Sequence, residues 1–518
     1  MLPSDRSAAP QPAPPDAEGS AGASWWRRKL GEWFGIDLRS LAIFRIALGL
    51  IVCFDLCDRL RDFEAMYAET GIMPLQLARD WWPSPAQWSI FFLSSSDTFT
   101  LGVFLAGIVL SLLMIVGCCT RLGTVGCWVV MVSSSYRFPL VDMGGEALVR
   151  YLLFWSMFLP LGRCWSFDAW RRPTIDPRPV ANVLTFCLMM QVCIMYFTAA
   201  YWKGRTKAWR QGMGLIHALW MDVFTRPLGD WILAHPRVAK VLNYAALAQE
   251  GCGVLFAFSP FYTKPLRLLT AIAFFAFHIS IELTMSVSWF SYASLVAWVV
   301  FLPDITYENR FWRLPVAPER KPVVVVPRTR WGLAGMTALS VFYLFSLATT
   351  VILILALFLP QVDKNMPQIV RVQGDLCALP QGWMMFSAPP KLNIWFAAEA
   401  RLRNGEVLDL LSGKPFTNQK PADLCTYYEN FRWRQIFILL PDRKARYPEQ
   451  VARVLAQRWN DRHAEEEQVV SLKFYHMQES SDPSKKGDFD RKLLATLQLE
   501  KRPDNEIINL QELLGEGF

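Results

Sequence analysis

Apolar residues in this chain gather into long runs separated by polar connections, and a run of about 20 residues is the length that a helix needs to cross a bilayer. We identify nine such runs, at 41–57, 99–118, 123–140, 147–161, 180–202, 238–258, 266–283, 287–302 and 332–359. The runs at 147–161 and 287–302 are short for a membrane span. The pattern therefore predicts an all-α membrane domain of about eight or nine transmembrane helices.

The composition also favours a membrane protein. Hydrophobic residues make up 53% of the 518 residues, which is high for a soluble enzyme of this length. The 22 tryptophans are expected at headgroup depth, as in the aromatic belts of multi-span proteins. Most of the net charge of +8 lies in loops on one side, so we expect it to set the membrane orientation and expect no nucleic-acid partner.

The two ends of the chain differ from its apolar middle. Residues 1–24 are rich in Pro, Ala and Ser, which predicts a disordered N-terminal tail. Aromatic residues alternate with cations in 25–38, which predicts an interfacial amphipathic helix. Residues 39–360 would form the transmembrane domain, and residues 361–518 a separate C-terminal domain.

The C-terminal domain is predicted to be a small α+β or β-sandwich-like module. The stretch ARLRNGEVLDLL places Asn404 and Gly405 between two alternating segments, as in a two-residue β-hairpin. Residues 448–460 have helical spacing, and VVSLKFYHM predicts a further strand. Cys377 and Cys425 lie in this domain and could form a disulfide if it is extracytoplasmic.

The basic loops predict the orientation in the membrane. With the N-terminus in the cytoplasm, most loop arginines fall on the cytoplasmic side, and an odd number of spans makes the C-terminal domain extracytoplasmic. The loop at 203–237 is an exception, because it would lie outside and yet begins with several cations. Such an exception is easier to understand if these cations bind a ligand or pair with acids.

Lys203 lies where an apolar run becomes abruptly cationic, in QVCIMYFTAAYWKGRTKAW. Ala199 and Ala200, one helical turn earlier, would leave room beside its stem for a ligand or a neighbouring helix. Desolvation disfavours an ammonium group, so a lysine at this depth could act as a general base. The alternative is a lysine at a helix end that extends its amine to the interface.

His278 and Glu282 are spaced to share one face of the predicted seventh span. They could handle protons or orient a ligand, or the histidine could form a hydrogen bond to another helix. The outer ends of the first, fifth and seventh spans would lie at one depth, so Asp55 could converge with Lys203 and this pair on an outward-facing cavity. Glu250 would lie deeper and line the same cavity.

Other charged residues have a local explanation as well as a functional one. Arg59 follows Asp55 at i+4, so the two can neutralise each other where the first span emerges. Arg137 and Asp142 flank a Gly-Gly pair at the predicted outer rim, where they would contact substrate or be solvated charges of a turn. No pattern typical of a zinc site is present, and we expect no metal.

Several stretches together resemble the horizontally transferred transmembrane (HTTM) family, to which the vitamin K-dependent gamma-carboxylases belong. They are FRIALGLIVCFDLCDRL, SMFLPLG, MYFTAAYWKGRTKAW and FHISIELTMSVSWFSY, in that order, within residues 26–302. GWMMFSAPP and NFRWR in the C-terminal domain are similar to the short extracytoplasmic domain of bacterial relatives. The resemblance implies a multi-pass protein of the bacterial inner membrane.

The resemblance also implies a function. Lys203 would deprotonate a reduced vitamin K-type quinone, whose oxygenation yields a base strong enough for carboxylation of a glutamate in a protein substrate. His278 and Glu282 would assist catalysis, and Tyr196 would contact the substrate. Arg163 stands where the animal enzymes have a second histidine. The alternative function is a non-enzymatic membrane protein that binds lipid or quinone, or a partner subunit of another enzyme.

Overall fold

The computed structural model describes residues 17–171, 179–307, 330–442, 446–481 and 489–499. Before Pro360 the α-helices are α1 (Ala17–Phe34), α2 (Leu38–Arg61), α3 (Phe63–Met66), α4 (Leu75–Arg79), α5 (Asp97–Val116), α6 (Thr120–Arg137), α7 (Gly144–Ser156), α8 (Phe167–Trp170), α9 (Val183–Arg205), α10 (Lys207–Arg210), α11 (Gly214–Leu219), α12 (Pro227–Leu233), α13 (Pro236–Ala248), α14 (Val254–Phe256), α15 (Thr263–Thr284), α16 (Phe290–Val299) and α17 (Arg330–Phe358). A π-helical segment, Gln249–Gly253, joins α13 to α14. Short 3₁₀ helices occupy Ile90–Leu93, Pro139–Val141 and Asp304–Tyr307.

Each of the nine apolar runs coincides with helical structure, and the run at 238–258 is α13, the π-helical segment and α14 together. Among the described residues, five helices are long and apolar enough to cross a membrane, namely α2, α5, α9, α15 and α17. The helices in the other runs are shorter or less apolar. The structure therefore shows a membrane-embedded helical domain, and the predicted count of eight or nine spans is not confirmed.

The N-terminal segments differ from the prediction at their boundary. Helix α1 already begins at Ala17, within the segment predicted to be disordered, whereas residues 1–16 lie outside the described part of the chain. Trp25 and Trp26 are exposed, while Phe34 at the end of α1 packs against Phe186 of α9 with 5.0 Å between ring centroids. An exposed aromatic end and an anchored end fit a helix that lies along the membrane interface.

Local caps fix where α9 begins and where α5 ends. The Asn182 side chain accepts hydrogen bonds from the backbone amides of Leu184 and Thr185, and the Thr185 hydroxyl accepts one from the Asn182 amide, so a capping box starts α9. Gly117 ends α5 with a φ of 74°, and a Cβ there would lie 2.3 Å from Arg45 Nη1. Glycine at this position therefore leaves space for a buried arginine.

The C-terminal domain is one antiparallel sheet packed against helices. Its strands are β1 (Leu392–Leu402), β2 (Val407–Asp409), β3 (Lys414–Pro415), β4 (Val469–Ser480) and β5 (Phe489–Gln498), in the order β3-β2-β1-β4-β5. Its helices are α18 (Pro360–Lys364), α19 (Gln368–Leu376), α20 (Leu424–Tyr427), α21 (Phe431–Leu439) and α22 (Arg446–Asn460), with 3₁₀ turns at Leu440–Asp442 and Glu465–Glu467. Phe396 of β1, Phe474 of β4 and Phe437 of α21 form its aromatic core. The domain is therefore α+β, and the sandwich alternative is wrong for the residues described.

Two local predictions in this domain require correction. The hairpin between β1 and β2 is present, but the last paired residues are Arg401 and Val407, so the connection is longer than two residues. Cys377 and Cys425 are both free, and the predicted disulfide is wrong. Cys377 follows α19 and Cys425 lies in α20, and burial raises the pKa of the Cys377 thiol to about 11. This cysteine is therefore a small protonated packing residue.

A row of aspartates on α2 holds the C-terminal domain against the membrane domain. Arg432 of α21 donates hydrogen bonds to Asp55 (2.6 Å) and to Asp58 (3.0 Å). The Asn430 amide and the Trp433 indole donate to Asp62, at 2.7 and 3.1 Å. Burial disfavours the charged guanidinium, but the Asp55 carboxylate outweighs this effect and raises the pKa of Arg432 above its ordinary value.

We predict that Arg432→Ala destabilises the docked protein by roughly 3–5 kcal/mol, because Asp55 would lose one of its two cationic partners in a buried site. Arg453→Ala is the matched control, since Arg453 pairs with Glu449 at the surface of α22 with both side chains about half exposed. That control should cost about 0.5 kcal/mol or less. Thermal unfolding of the purified protein measures both variants, and equal shifts in Tm would contradict the prediction.

Candidate functional site

A partly enclosed, largely apolar cavity of about 100 Å³ lies between α9, α13, α15 and the start of α16, with room for several water molecules. Its helical walls include Tyr196 and Lys203 from α9 and His278 from α15. Tyr196 and Lys203 are seven residues apart and therefore share one face of α9. With Glu250 from the segment after α13, the cavity combines four polar side chains with mostly aromatic and aliphatic walls.

Lys203 forms a buried ion pair at one end of the cavity. Its Nζ lies 2.5 Å from Glu250 Oε1, and both side chains are about nine-tenths buried. Glu250 belongs to the π-helical segment, and the other oxygen of its carboxylate, Oε2, has no hydrogen-bond partner. A π-helical turn is often found at functional sites, and here it rotates the carboxylate out of the α-helical register of α13.

The small residues before Lys203 serve both of the purposes that the sequence suggested. Ala199 lines the cavity beside the lysine stem. Ala200 faces the π-helical segment, because a Cβ on Gly251 would lie 3.6 Å from the Ala200 Cβ. Small side chains on both elements thus allow α9 to approach the segment closely enough for the Lys203–Glu250 pair to form.

Tyr196 and His278 form a second buried polar group in the cavity. The Tyr196 hydroxyl lies 2.6 Å from His278 Nε2 and accepts a hydrogen bond of 2.9 Å from the Trp298 indole. Two tautomers satisfy this contact: the hydroxyl donates to Nε2 and the histidine carries its hydrogen at Nδ1, or the histidine donates from Nε2 and Nδ1 is an acceptor. His278 Nδ1 has no partner, although the side chain is 1% exposed.

Trp209 lies beneath the lysine and is held in place from three sides. The Lys203 ammonium is 5.0 Å from the centre of the indole ring, within range of a cation–π interaction. Asn243 of α13 donates a 2.9 Å hydrogen bond to the Trp209 carbonyl, and the indole donates one of 2.7 Å to the Phe386 carbonyl. A Cβ on Gly214 would collide with the ring at 2.3 Å. The indole is therefore a fixed part of the lysine environment.

The structure separates the remaining candidate residues from this cavity. Glu282 forms an ion pair with Arg226 at 2.7 Å and is not a lining residue, so it does not act as a partner of His278. Asp55 and Arg59 form the predicted i+4 pair, at 2.8 Å, and belong to the interface with the C-terminal domain. The expected convergence on one cavity therefore holds for Lys203, Glu250 and His278 but not for Asp55 and Glu282.

Arg137 and Asp142 have local structural partners. Arg137 donates hydrogen bonds to the backbone carbonyls of Met73 and Tyr67, which hold the loop after α3. Asp142 forms a two-pronged ion pair with Arg150 of α7, at 2.5 and 3.0 Å. These contacts fit the interpretation of solvated or locally paired rim charges better than that of substrate contacts.

Sequence reasoning missed the contribution of the C-terminal domain to the cavity. Trp383, Met385 and Phe386 line it, although they follow the last membrane span by more than 20 residues along the chain. The sequence signal that could have revealed this is the stretch GWMMF, in which four bulky apolar residues follow a glycine in a polar domain. The site is therefore built from both domains.

The geometry suits a flat ligand that carries polar oxygens. Aromatic side chains such as Phe290 and Trp383 can stack on a ring, and Glu250 Oε2 and His278 Nδ1 are two unpartnered polar atoms available to hydrogen-bond a ligand. A reduced quinone has this combination of a flat ring and hydroxyl groups. The residues present therefore fit such a ligand.

We predict that Tyr196→Phe lowers the stability of the protein by about 1–3 kcal/mol, because it leaves the buried His278 and Trp298 nitrogens without their partner. Tyr201→Phe is the control on the same helix, since Tyr201 is exposed. Its hydroxyl accepts only a surface hydrogen bond from Arg205. Thermal unfolding should show a clear decrease in Tm for the first variant and little change for the second.

One protein-family model matches the region that contains most of the membrane helices. The model of the HTTM domain matches residues 34–304, slightly more than half of the chain. No curated protein and no solved structure matched the chain. The matched region contains Lys203, Glu250 and His278 but not the C-terminal domain. The chain therefore belongs to the HTTM family.

Proposed function

We propose that this protein is a membrane enzyme that oxygenates a reduced vitamin K-type quinone and couples this reaction to carboxylation of a glutamate in a protein substrate. One observation carries the proposal: an amine–carboxylate pair and a histidine with an unpartnered nitrogen share one apolar, aromatic cavity. In the overall reaction, reduced quinone and O₂ give quinone epoxide and water, while CO₂ replaces a γ-hydrogen of the glutamate.

Lys203 and Glu250 would act together as the base. Transfer of one proton across their 2.5 Å contact converts the ion pair into a neutral amine and a carboxylic acid, and apolar surroundings reduce the cost of this change. The neutral amine could then accept the proton of a quinol hydroxyl. The ammonium form that results would be stabilised by the negative charge of the deprotonated quinol and by the Trp209 ring, while Glu250 stays a neutral carboxylic acid.

His278 and Tyr196 would bind a second oxygen of the ligand. The proposal assigns His278 the tautomer in which the Tyr196 hydroxyl donates to Nε2, so that the Nδ1 hydrogen is free to donate to a ligand oxygen. Lys203 and His278 therefore provide polar contacts from two different helices. The aromatic walls between them would exclude water and hold the ring.

The proposal extends to membrane orientation and partners. The protein would lie in the bacterial inner membrane with its N-terminus in the cytoplasm and its C-terminal domain outside. A protein substrate would then approach from the extracytoplasmic side, while the quinone and membrane lipid would be supplied by the bilayer.

A second candidate function is quinone or lipid binding without turnover, alone or as a partner subunit. The observation in its favour is that Glu250 already neutralises Lys203, so the pair can simply be a structural contact. Arg163 in place of the histidine of the animal enzymes also favours this alternative. It predicts that the purified protein binds a reduced quinone but does not oxidise it.

We predict that Lys203→Ala reduces quinone epoxidation by about 100-fold or more, the usual loss when a general base is removed. Lys207→Ala is the matched control, because Lys207 is exposed four residues further along the chain and does not line the cavity. Purified protein in nanodiscs, supplied with menadiol, O₂ and CO₂, allows epoxide formation to be measured directly. Full activity of Lys203→Ala would remove this residue from the mechanism.

We also predict that Glu250→Gln reduces kcat much more than Glu282→Gln, because glutamine cannot take the proton from the Lys203 ammonium. Both substitutions preserve size and remove one charge, and only Glu250 lines the cavity. The epoxidation assay compares the two variants at saturating menadiol. Similar losses in both would indicate an electrostatic effect on the fold, and wild-type protein that binds menadiol without turnover would support the carrier alternative.

A further inference from the structure

One wall of the cavity lies outside the region that the family model matches. That model ends at residue 304, whereas Trp383 and Met385 line the cavity from the segment Gln381–Ser387. We name this segment the wall segment. The part of the cavity that it forms is therefore not determined by the matched helical domain.

Two contacts with the helical domain and one internal hydrogen bond fix the wall segment. The Gln381 amide pairs with the Gln191 amide of α9 through hydrogen bonds of 2.7 and 3.1 Å, in a fully buried position. The Trp383 indole donates a 2.5 Å hydrogen bond to Gln381. Phe386 adopts a φ of 53°, which is strained for a residue with a side chain. Its carbonyl accepts a hydrogen bond from the Trp209 indole. These contacts place the segment precisely enough to shape a ligand site.

Met385, which also lines the cavity, packs directly against the first turn of α7. A Cβ added to Gly144 would lie 2.7 Å from Met385 Sδ, so a larger residue there would displace the flexible end of the methionine. Met384, the preceding residue, is 46% exposed and does not line the cavity. Adjacent methionines of the same segment thus have opposite environments.

We propose that Met385 and Trp383 are specificity-determining residues that set the size of the ring that the cavity accepts, with Gly144 fixing the position of the methionine. The inference rests on the proposed binding of a reduced quinone and adds which ring system fits. A methionine side chain is flexible and fills irregular space, whereas the Trp383 ring packs edge-on against Tyr151 at 5.8 Å and is fixed. Met385 therefore limits the ring size and Trp383 defines the plane of the wall.

The test measures dissociation constants for two reduced probes, menadiol with two fused rings and trimethylhydroquinone with one. Met385→Ala should shift the ratio of the two constants towards menadiol by about tenfold, the usual effect of a few methylene-sized groups in an apolar pocket. Met384→Ala should leave the ratio unchanged. Gly144→Ala should shift the ratio the other way, because the new methyl group pushes the thioether into the cavity.

The double variant Gly144→Ala/Met385→Ala distinguishes this proposal from general damage to the fold. Its probe ratio should match that of Met385→Ala alone, because no thioether remains to be pushed. Equal ratios in wild type, Met385→Ala and Gly144→Ala would overturn the proposal, as would a shift in Met384→Ala as large as that in Met385→Ala.

A wild-type protein that binds neither probe would overturn the quinone-binding proposal itself. Thermal unfolding would then test whether Met385 of the wall segment packs directly against Gly144. Non-additive changes in Tm for the Gly144 and Met385 substitutions would support their direct packing. Additive changes would overturn it.

Discussion

Charge neutralisation inside an apolar bundle is the constraint on which the rest of this structure depends. An isolated charge cannot be buried cheaply, so every ionised side chain within the helices needs a partner. Lys203 forms an ion pair with Glu250, Asp55 with Arg59 and Arg432, and Asp142 with Arg150. Each pair fixes the relative position of two elements, and together they determine how the helices and the C-terminal domain fit.

The Lys203–Glu250 pair differs from the others because it faces a cavity. The partners of Asp55 and Asp142 occupy both carboxylate oxygens, whereas Glu250 keeps one oxygen free. Glu282 also keeps one oxygen without a partner, but only Glu250 and His278 present their free atoms to the same cavity, as a ligand site requires. The C-terminal domain completes that site, since the Arg432 contacts hold the domain in place while Trp383 and Met385 close the cavity.

The sequence predicted the features that depend on local spacing. Apolar runs located the helices, Lys203 was expected at a helix end, and α9 indeed ends at Arg205. The i+4 pairing of Asp55 with Arg59 was also correct. These features follow from helical periodicity and hydrophobicity alone, and predicting them requires no knowledge of the neighbouring elements.

The errors concern contacts between distant segments. Helical spacing placed Glu282 beside His278, but Arg226 from another element binds the carboxylate, and Tyr196 binds the histidine across 82 positions of sequence. The π-helical turn at Glu250 changes the direction of its carboxylate, and α-helical spacing cannot predict such a turn. Which cysteines meet likewise depends on tertiary packing, and Cys377 and Cys425 remain free.

Electron cryomicroscopy of the protein in nanodiscs with menadiol tests the central claim most directly. The account predicts density for the ring between the Lys203–Glu250 pair and His278, with Trp383 against it. Density for menadiol elsewhere, or a structure in which Lys203 and His278 point to opposite sides of the bundle, would contradict it.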